Sequence, residues 1–141
     1  MEAMVRTFKL GPQDVEKLSA APNEPHHHDF EELIIGTAGT LEHFIDYRSE
    51  SIDAPFVSFV TKGKVHRVRP AAKDGQCDMT VIRFRSEFIP ETIFQLYSLF
   101  HDQAQLRMTD GRCFARMTTV ADMIVEEMAR PEPDLAVVRQ L

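Results

Sequence analysis

Pro25-His26-His27-His28-Asp29-Phe30-Glu31-Glu32-Leu33-Ile34-Ile35, followed by Gly36-Thr37-Ala38-Gly39, is the stretch on which the fold reading turns. From His28 to Ile35 the residues fit a strand. Phe30, Glu32 and Ile34 share one face; Glu31, Leu33 and Ile35 share the other. The Gly-Thr-Ala-Gly segment reads as a turn, and Thr40 to Asp46 as a returning strand rich in Leu, Phe and Ile. Downstream come a short polar run, Ser49 to Asp53, and a compact β run, Phe56-Val57-Ser58-Phe59-Val60. Lys62-Gly63-Lys64 turns the chain into Val65 to Val68. The Asp-Gly pair inside Lys73-Asp74-Gly75-Gln76 is a hairpin signal, and Met79 to Phe84 is a further strand. Short strands at a spacing of roughly ten residues predict a sandwich or barrel. Upstream, Val5 to Leu10 reads as a strand. Pro12 opens a helical turn with Val15 and Leu18 on one side, and Ala21-Pro22-Asn23-Glu24-Pro25 is too proline-rich to be regular.

The last third changes period. Pro90-Glu91-Thr92 opens a predicted helix with Ile93, Leu96, Tyr97 and Phe100 at i, i+3, i+4 and i+7. Leu106 and Met108 read as a last strand piece before Asp110-Gly111. A second helix carries Met117, Val120, Ala121, Ile124, Val125 and Met128, a continuous apolar stripe. Such a stripe suits both covering the sheet face that bears Leu33 and Ile35 and meeting a second subunit. Pro131 and Pro133 break the helix. Leu135, Val137, Val138 and Leu141 begin a third, too short to be stable alone. The expected class is therefore mainly β with C-terminal α-helices. Residues 1–89 would form the barrel, and 90–141 a helical dimerisation and linker region of the same domain, cut before whatever follows.

Composition narrows the function. The 141 residues carry 16 Lys plus Arg against 22 Asp plus Glu, a net charge of −6. Phosphate binding needs a basic face, so these residues are not expected to grip DNA by themselves. No apolar run approaches the roughly 18 residues of a spanning helix, so no membrane is expected. No secretory signal opens the chain. Cys77 and Cys113 are 36 apart and read as reduced core thiols of a cytoplasmic protein.

The residues richest in chemistry are His26, His27 and His28, then Glu32, with His66 downstream. His26, His28, Glu32 and His66 are a donor set suited to iron, manganese, zinc or nickel. On a straight strand, however, His28 and Glu32 lie roughly 13 Å apart, so they share an ion only if the strand curls. Three readings stand side by side: a divalent metal, histidines hydrogen-bonded at a barrel mouth, and direct contact with a bound molecule. An inward Glu32 is costly unless paired or useful. Its candidate partners are Arg67, Arg69 and Arg83, and its candidate use is as an acceptor for ligand hydroxyls. Phe30, Ile34, His43, Phe59, Val68 and Ile82 are candidate lining residues. Lys62, Lys64, Arg67 and Arg69 form a local basic cluster, read as a solvated strand end or an anion-binding rim.

His26-x-His28-x3-Glu32-x6-Gly39 resembles the first motif of cupins, and Pro55-x7-Gly63-x2-His66 their second. Thr61 stands where the second motif has Pro, Pro70 where it has Asn, and Ala20 where the first has its opening Gly. A fuller ordered set adds His43-Phe44-Ile45-Asp46, Phe59-Val60, Gly63-Lys64-Val65-His66-Arg67 and Phe84-Arg85-Ser86-Glu87-Phe88. Together these residues resemble the N-terminal sensor domain of AraC-family transcription regulators. The resemblance implies a cupin-type jelly-roll barrel that binds a small effector, often a sugar, and helices that make a homodimer. It implies a separate C-terminal pair of helix-turn-helix motifs for DNA, absent from these residues, and no catalysis and no required cofactor. The expected ligand contacts are His28, Phe30, Glu32, Ile34, His43 and His66. The rival implication is a metal-dependent cupin enzyme, an isomerase or dioxygenase, using His26, His28, Glu32 and His66. The altered second motif and the unfinished last helix disfavour it.

Overall fold

Strands form where the apolar runs place them, and long-range pairing sets their ends. The structure, a computed structural model, describes residues 4–20, 29–45, 47–89 and 105–141. The helix expected from Pro90 through Phe100 lies outside the described residues, as do His26, His27 and His28.

Two antiparallel sheets face each other. The larger has the order β1 (Val5–Leu10), β7 (Asp78–Phe84), β2 (Glu31–Ala38), β5 (Phe56–Val60) and β8 (Gln105–Arg107). The smaller has the order β4 (Arg48–Asp53), β3 (Thr40–Ile45) and β6 (His66–Ala71). The element expected around Leu106 and Met108 is β8, whose Leu106 pairs with Val57. This is the cupin-type jelly-roll barrel, with α1 (Pro12–Ala20), α2 (Gly111–Met128) and α3 (Leu135–Gln140) packed on it.

The stretch that opens the sequence reading behaves differently from expectation at its end. Gly36, Thr37 and Ala38 are strand, not turn. They continue the pairing of β2 with β7 across a register shift between Gly36 and Ala38. Only Gly39 turns, at φ +102°, where a side chain would meet the Ala71 carbonyl. Beyond it β3 does not return along β2. It crosses into the smaller sheet and pairs with β4 and β6. Pro70, which has no N–H to give, is tolerated because β6 is an edge. The Asp-Gly hairpin forms as expected: Asp74 and Gly75 both take positive φ, and Lys73 and Gln76 exchange both backbone hydrogen bonds.

Two cores result. Between the sheets, Ile34, Phe56, Met79 and Val81 meet Leu41, Ile52 and Val68, and Val15 of α1 joins them. On the outer face of the larger sheet, Val5, Leu33, Phe59, Ile82 and Phe84 pack with Phe88, with Ile124 and Met128 of α2, and with Val138 of α3. The stripe on α2 thus covers Leu33, as its spacing suggested. Phe59 and Ile82, expected among the lining candidates, face this outer core and not the interior. Cys77 is buried between the sheets, but Cys113 is exposed in the first turn of α2, contrary to its reading as a core thiol.

Helix ends and sheet edges are held by carboxylates. Asp110 caps α2, accepting from the backbone N–H groups of Cys113 and Arg112, and Asp134 caps α3 likewise. The Cys113 N–H above all holds the Asp110 carboxyl below its ordinary value of 3.8. Hydrogen bonds from Lys73 and Thr40 do the same for Asp53. For Asp78 the Thr37 hydroxyl does so, partly opposed by burial. A carboxylate whose folded pKa is depressed stabilises above its unfolded value and loses that contribution as pH falls through the folded one. Thermal stability is therefore expected to drop on acidification as the pH falls below about 4, through the depressed folded-state values. The Asp53→Asn, Asp78→Asn and Asp110→Asn triple variant should show a shallower drop. An equally steep profile in the triple variant would contradict the assignment.

Candidate functional site

The interior of the barrel is layered by strand register. Gly36, Phe56 and Met79 form one layer on the larger sheet, and Ile34, Ser58 and Val81 the next. Glu32, Val60 and Arg83 form the layer beyond. On the smaller sheet Leu41 pairs with Pro70, His43 with Val68, and Ile45 with His66. The end near Phe56 and Leu41 is apolar and carries Val15 of α1. The other end carries the polar side chains.

Glu32 is 2% exposed, and its Oε2 accepts from Arg83 Nε at 2.7 Å. Of the three expected partner candidates, Arg83 is the one that meets it. The reason is geometric. Arg83 sits opposite Glu32 in the β2–β7 register and on the same face. Arg67 instead stacks over Phe44 on the outer face of the smaller sheet, and Arg69 is exposed. The Arg83 guanidinium contacts two rings, 4.8 Å from the centre of Phe8 and 4.9 Å from that of Phe30. Cation–π contact with both rings adds to the ion pair in holding the guanidinium at Glu32, while the Arg83 side chain stays 35% exposed. Glu32 Oε1 is buried and has no hydrogen-bond partner among the described residues.

A second polar group lies across the barrel. His43 Nε2 and His66 Nδ1 are 3.3 Å apart, with the rings edge to face, and both residues are buried. Ser58 Oγ is 3.4 Å from His43 Nδ1, so the group spans both sheets. One imidazole must donate and the other accept, so the tautomers are coupled: either Ser58 donates to His43 and His43 to His66, or His66 donates to His43 and His43 to Ser58.

Glu31, adjacent to Glu32 but on the opposite face, is also fully buried. Its carboxylate accepts from the backbone N–H of Lys62 at 3.0 Å and from Ser86 Oγ at 3.0 Å. It ties the β5–β6 loop and the end of β7 to β2. The sequence reading placed it only by parity; its clamp depends on two segments about 31 and 55 residues away.

The expected site residues thus separate. Glu32, Ile34, His43 and His66 are inside the barrel, with Phe30 stacked on Arg83. His26 and His28 lie outside the described residues. Arg83, Ser58 and Phe8 complete the interior and were not among the expected contacts. Arg83 had a legible signal, since it alternates with Met79 and Val81 on β7. Of the four expected metal donors, Glu32 and His66 are described and His26 and His28 lie outside the described residues. Glu32 is engaged by a guanidinium, His66 is engaged by His43, and no three His, Cys, Asp or Glu residues among those described are placed to hold an ion.

The family model of the AraC-like ligand-binding domain matches residues 21–117, more than half of the chain. The chain belongs to this family. No curated protein matches the chain significantly. Among solved structures, this AraC-like domain is similar to the AraC-like transcriptional activator CuxR, at 10% identity and a TM-score of 0.55, covering 96% of this chain and 46% of that one. It is also similar to apo ToxT K231A from Vibrio cholerae strain SCE256, at 10% identity and a TM-score of 0.54, covering 86% and 48%. ToxT from Vibrio cholerae O395, bound to (E)-4-(8-methylnaphthalen-1-yl)but-3-enoic acid, gives 8% identity, a TM-score of 0.53, and coverage of 98% and 53%. At these identities the likeness is one of fold. The AraC-like domain spans about half the length of those chains.

Proposed function

We propose that this chain is the effector-sensing and dimerising part of an AraC-type transcription regulator that works in the cytoplasm. Its effector, a small molecule, enters the barrel. DNA is bound by a segment outside these residues and not by this acidic domain, which performs no catalysis. The family match and the half-length coverage of CuxR and ToxT support this reading. The observation that carries the mechanism is a pair of neighbours on β7. Arg83 faces the interior beside Glu32, while Phe84 belongs to the outer core with Phe88 and Val138 of α3. Arg139 of α3 stacks over Phe88, 5.4 Å from its ring centre. A shift of β7 in the polar layer therefore alters the surface on which the helices rest. An effector that binds one arrangement more tightly than the other moves the equilibrium by that difference in affinity.

Residues 1–89 with 90–141 form one sensor unit in this reading, and the helices supply the homodimer contact. Met123, Leu135 and Val137 are exposed apolar side chains on α2 and α3 and suit that role. The effector class is set by the interior. One neighbour holds an aryl-substituted butenoic acid. Sugar-type effectors usually meet aromatic platforms, and this chain has no Trp and two Tyr. The ligand contacts would be His28, Phe30, Glu32, Ile34, His43 and His66.

Two measurements test the proposal. A thermal-shift screen of small metabolites against the chain should yield compounds that raise its melting temperature. Their effect should shrink in Glu32→Gln; a hit with the same shift in that variant removes Glu32 from recognition. Sedimentation at tens of micromolar should give a dimer that Met123→Glu weakens, and a strict monomer would count against the dimer contact.

A further inference from the structure

We infer that the site completed by Glu32 takes an uncharged hydrogen-bond donor, a hydroxyl or amide N–H, and discriminates against both carboxylates and ammonium groups. The inference rests on the sensing function proposed above and specifies the chemistry of that site. Glu32 is 98% buried by its 2% exposure, and its two oxygens are in different situations. Oε2 accepts from Arg83 Nε at 2.7 Å. Oε1, on a side chain that shares its sheet face with Ile34, is cut off from solvent and has no partner among the described residues. A buried acceptor without a donor carries its full desolvation cost, so the group that enters must donate.

The charge of the incoming donor follows from Arg83. Phe8 and Phe30 both contact the guanidinium, and its positive charge already neutralises Glu32. An ammonium would add an uncompensated charge to a paired site at the cost of its own hydration. A carboxylate would meet a buried carboxylate oxygen and compete with Glu32 for Arg83. A hydroxyl or amide N–H satisfies Oε1 and changes no charge. The apolar neighbours Ile34, Val60 and Val81 then receive the carbon skeleton of the same ligand.

Four probes with one ring skeleton separate these cases: cyclohexanol, cyclohexanone, cyclohexanecarboxylate and cyclohexylammonium. They are titrated into the 141-residue chain, and the nuclear magnetic resonance signals of Arg83 Nε–H and of the Ile34 and Val68 methyl groups are followed. Cyclohexanol should shift all of them and bind roughly tenfold or more tightly than the ketone and both ions, the worth of one hydrogen bond to a charged group. In Glu32→Gln the amide oxygen keeps Arg83 and the amide N–H₂ replaces Oε1, so the preference should invert and the ketone should bind better than the alcohol. The carboxylate or the ammonium binding best in the interior would overturn the inference and leave effector sensing intact. No probe reaching the interior signals would overturn both. Should the variant lose its fold, the ranking of the four probes on the unaltered chain still decides.

Discussion

Phe56→Ala is expected to destabilise the barrel by about 3–5 kcal/mol, the usual cost of emptying a fully buried aromatic site. Phe56 is completely buried between the sheets, and its ring fills the space that a side chain at position 36 would occupy. Gly36 is therefore the other half of the same contact. The two pair directly, Gly36 on β2 with Phe56 on β5. Gly36→Ala places a Cβ into the ring and should cost about 1–3 kcal/mol by overpacking. In the double variant the penalty of the alanine at 36 should largely vanish, because the ring it collides with is gone. Urea unfolding of the two single variants and the double would measure the coupling. Strict additivity would mean that the ring and the glycine do not oppose each other as described.

Arg83→Leu is the second large effect, at about 3 kcal/mol. That is the lower end for breaking a buried pair, because the Arg83 side chain retains 35% exposure while Glu32 keeps only 2%. The loss has two sources. Glu32 would be left without its partner in a dry interior, and Phe8 and Phe30 would lose their contact with the guanidinium. Replacing both charges, Arg83→Leu with Glu32→Leu, should recover most of the stability, since an apolar pair needs no compensation. The recovered double variant should nevertheless fail to respond to any compound that stabilises the unaltered chain. Stability without response is the outcome that separates a sensing role for the pair from a purely structural one. A double variant that still responds would leave the pair structural.

Much of the architecture was legible because the strands are short, apolar and punctuated by turn residues. The limits of that reading are physical. Phe56 to Val60 and the middle of β7 are buried on both faces, so their sequence carries no polar alternation to say which side is inward. Phe59 and Ile82 were therefore open to either core, and the register places them on the outer one. Glu32 was legible as an inward residue because it shares parity with Ile34. The choice of Arg83 over Arg67 and Arg69 needed the β2–β7 register, which no local pattern supplies. Gly36-Thr37-Ala38 looked like a turn on composition, yet pairing with a strand some 40 residues away holds it extended. The exposure of Cys113 depends on which face of α2 meets the sheet, and its stripe begins only after the first turn.

The central claim is that the polar layer of the barrel, built on Glu32 and Arg83, is where the effector binds. The most direct test is a crystal structure of the chain with the first compound found to raise its melting temperature. The account predicts ligand density between the two sheets, with a donor atom within hydrogen-bond distance of Glu32 Oε1 and carbon against Ile34 or Val81. Density on the helices or on the outer face of either sheet, with the interior unchanged, would contradict it.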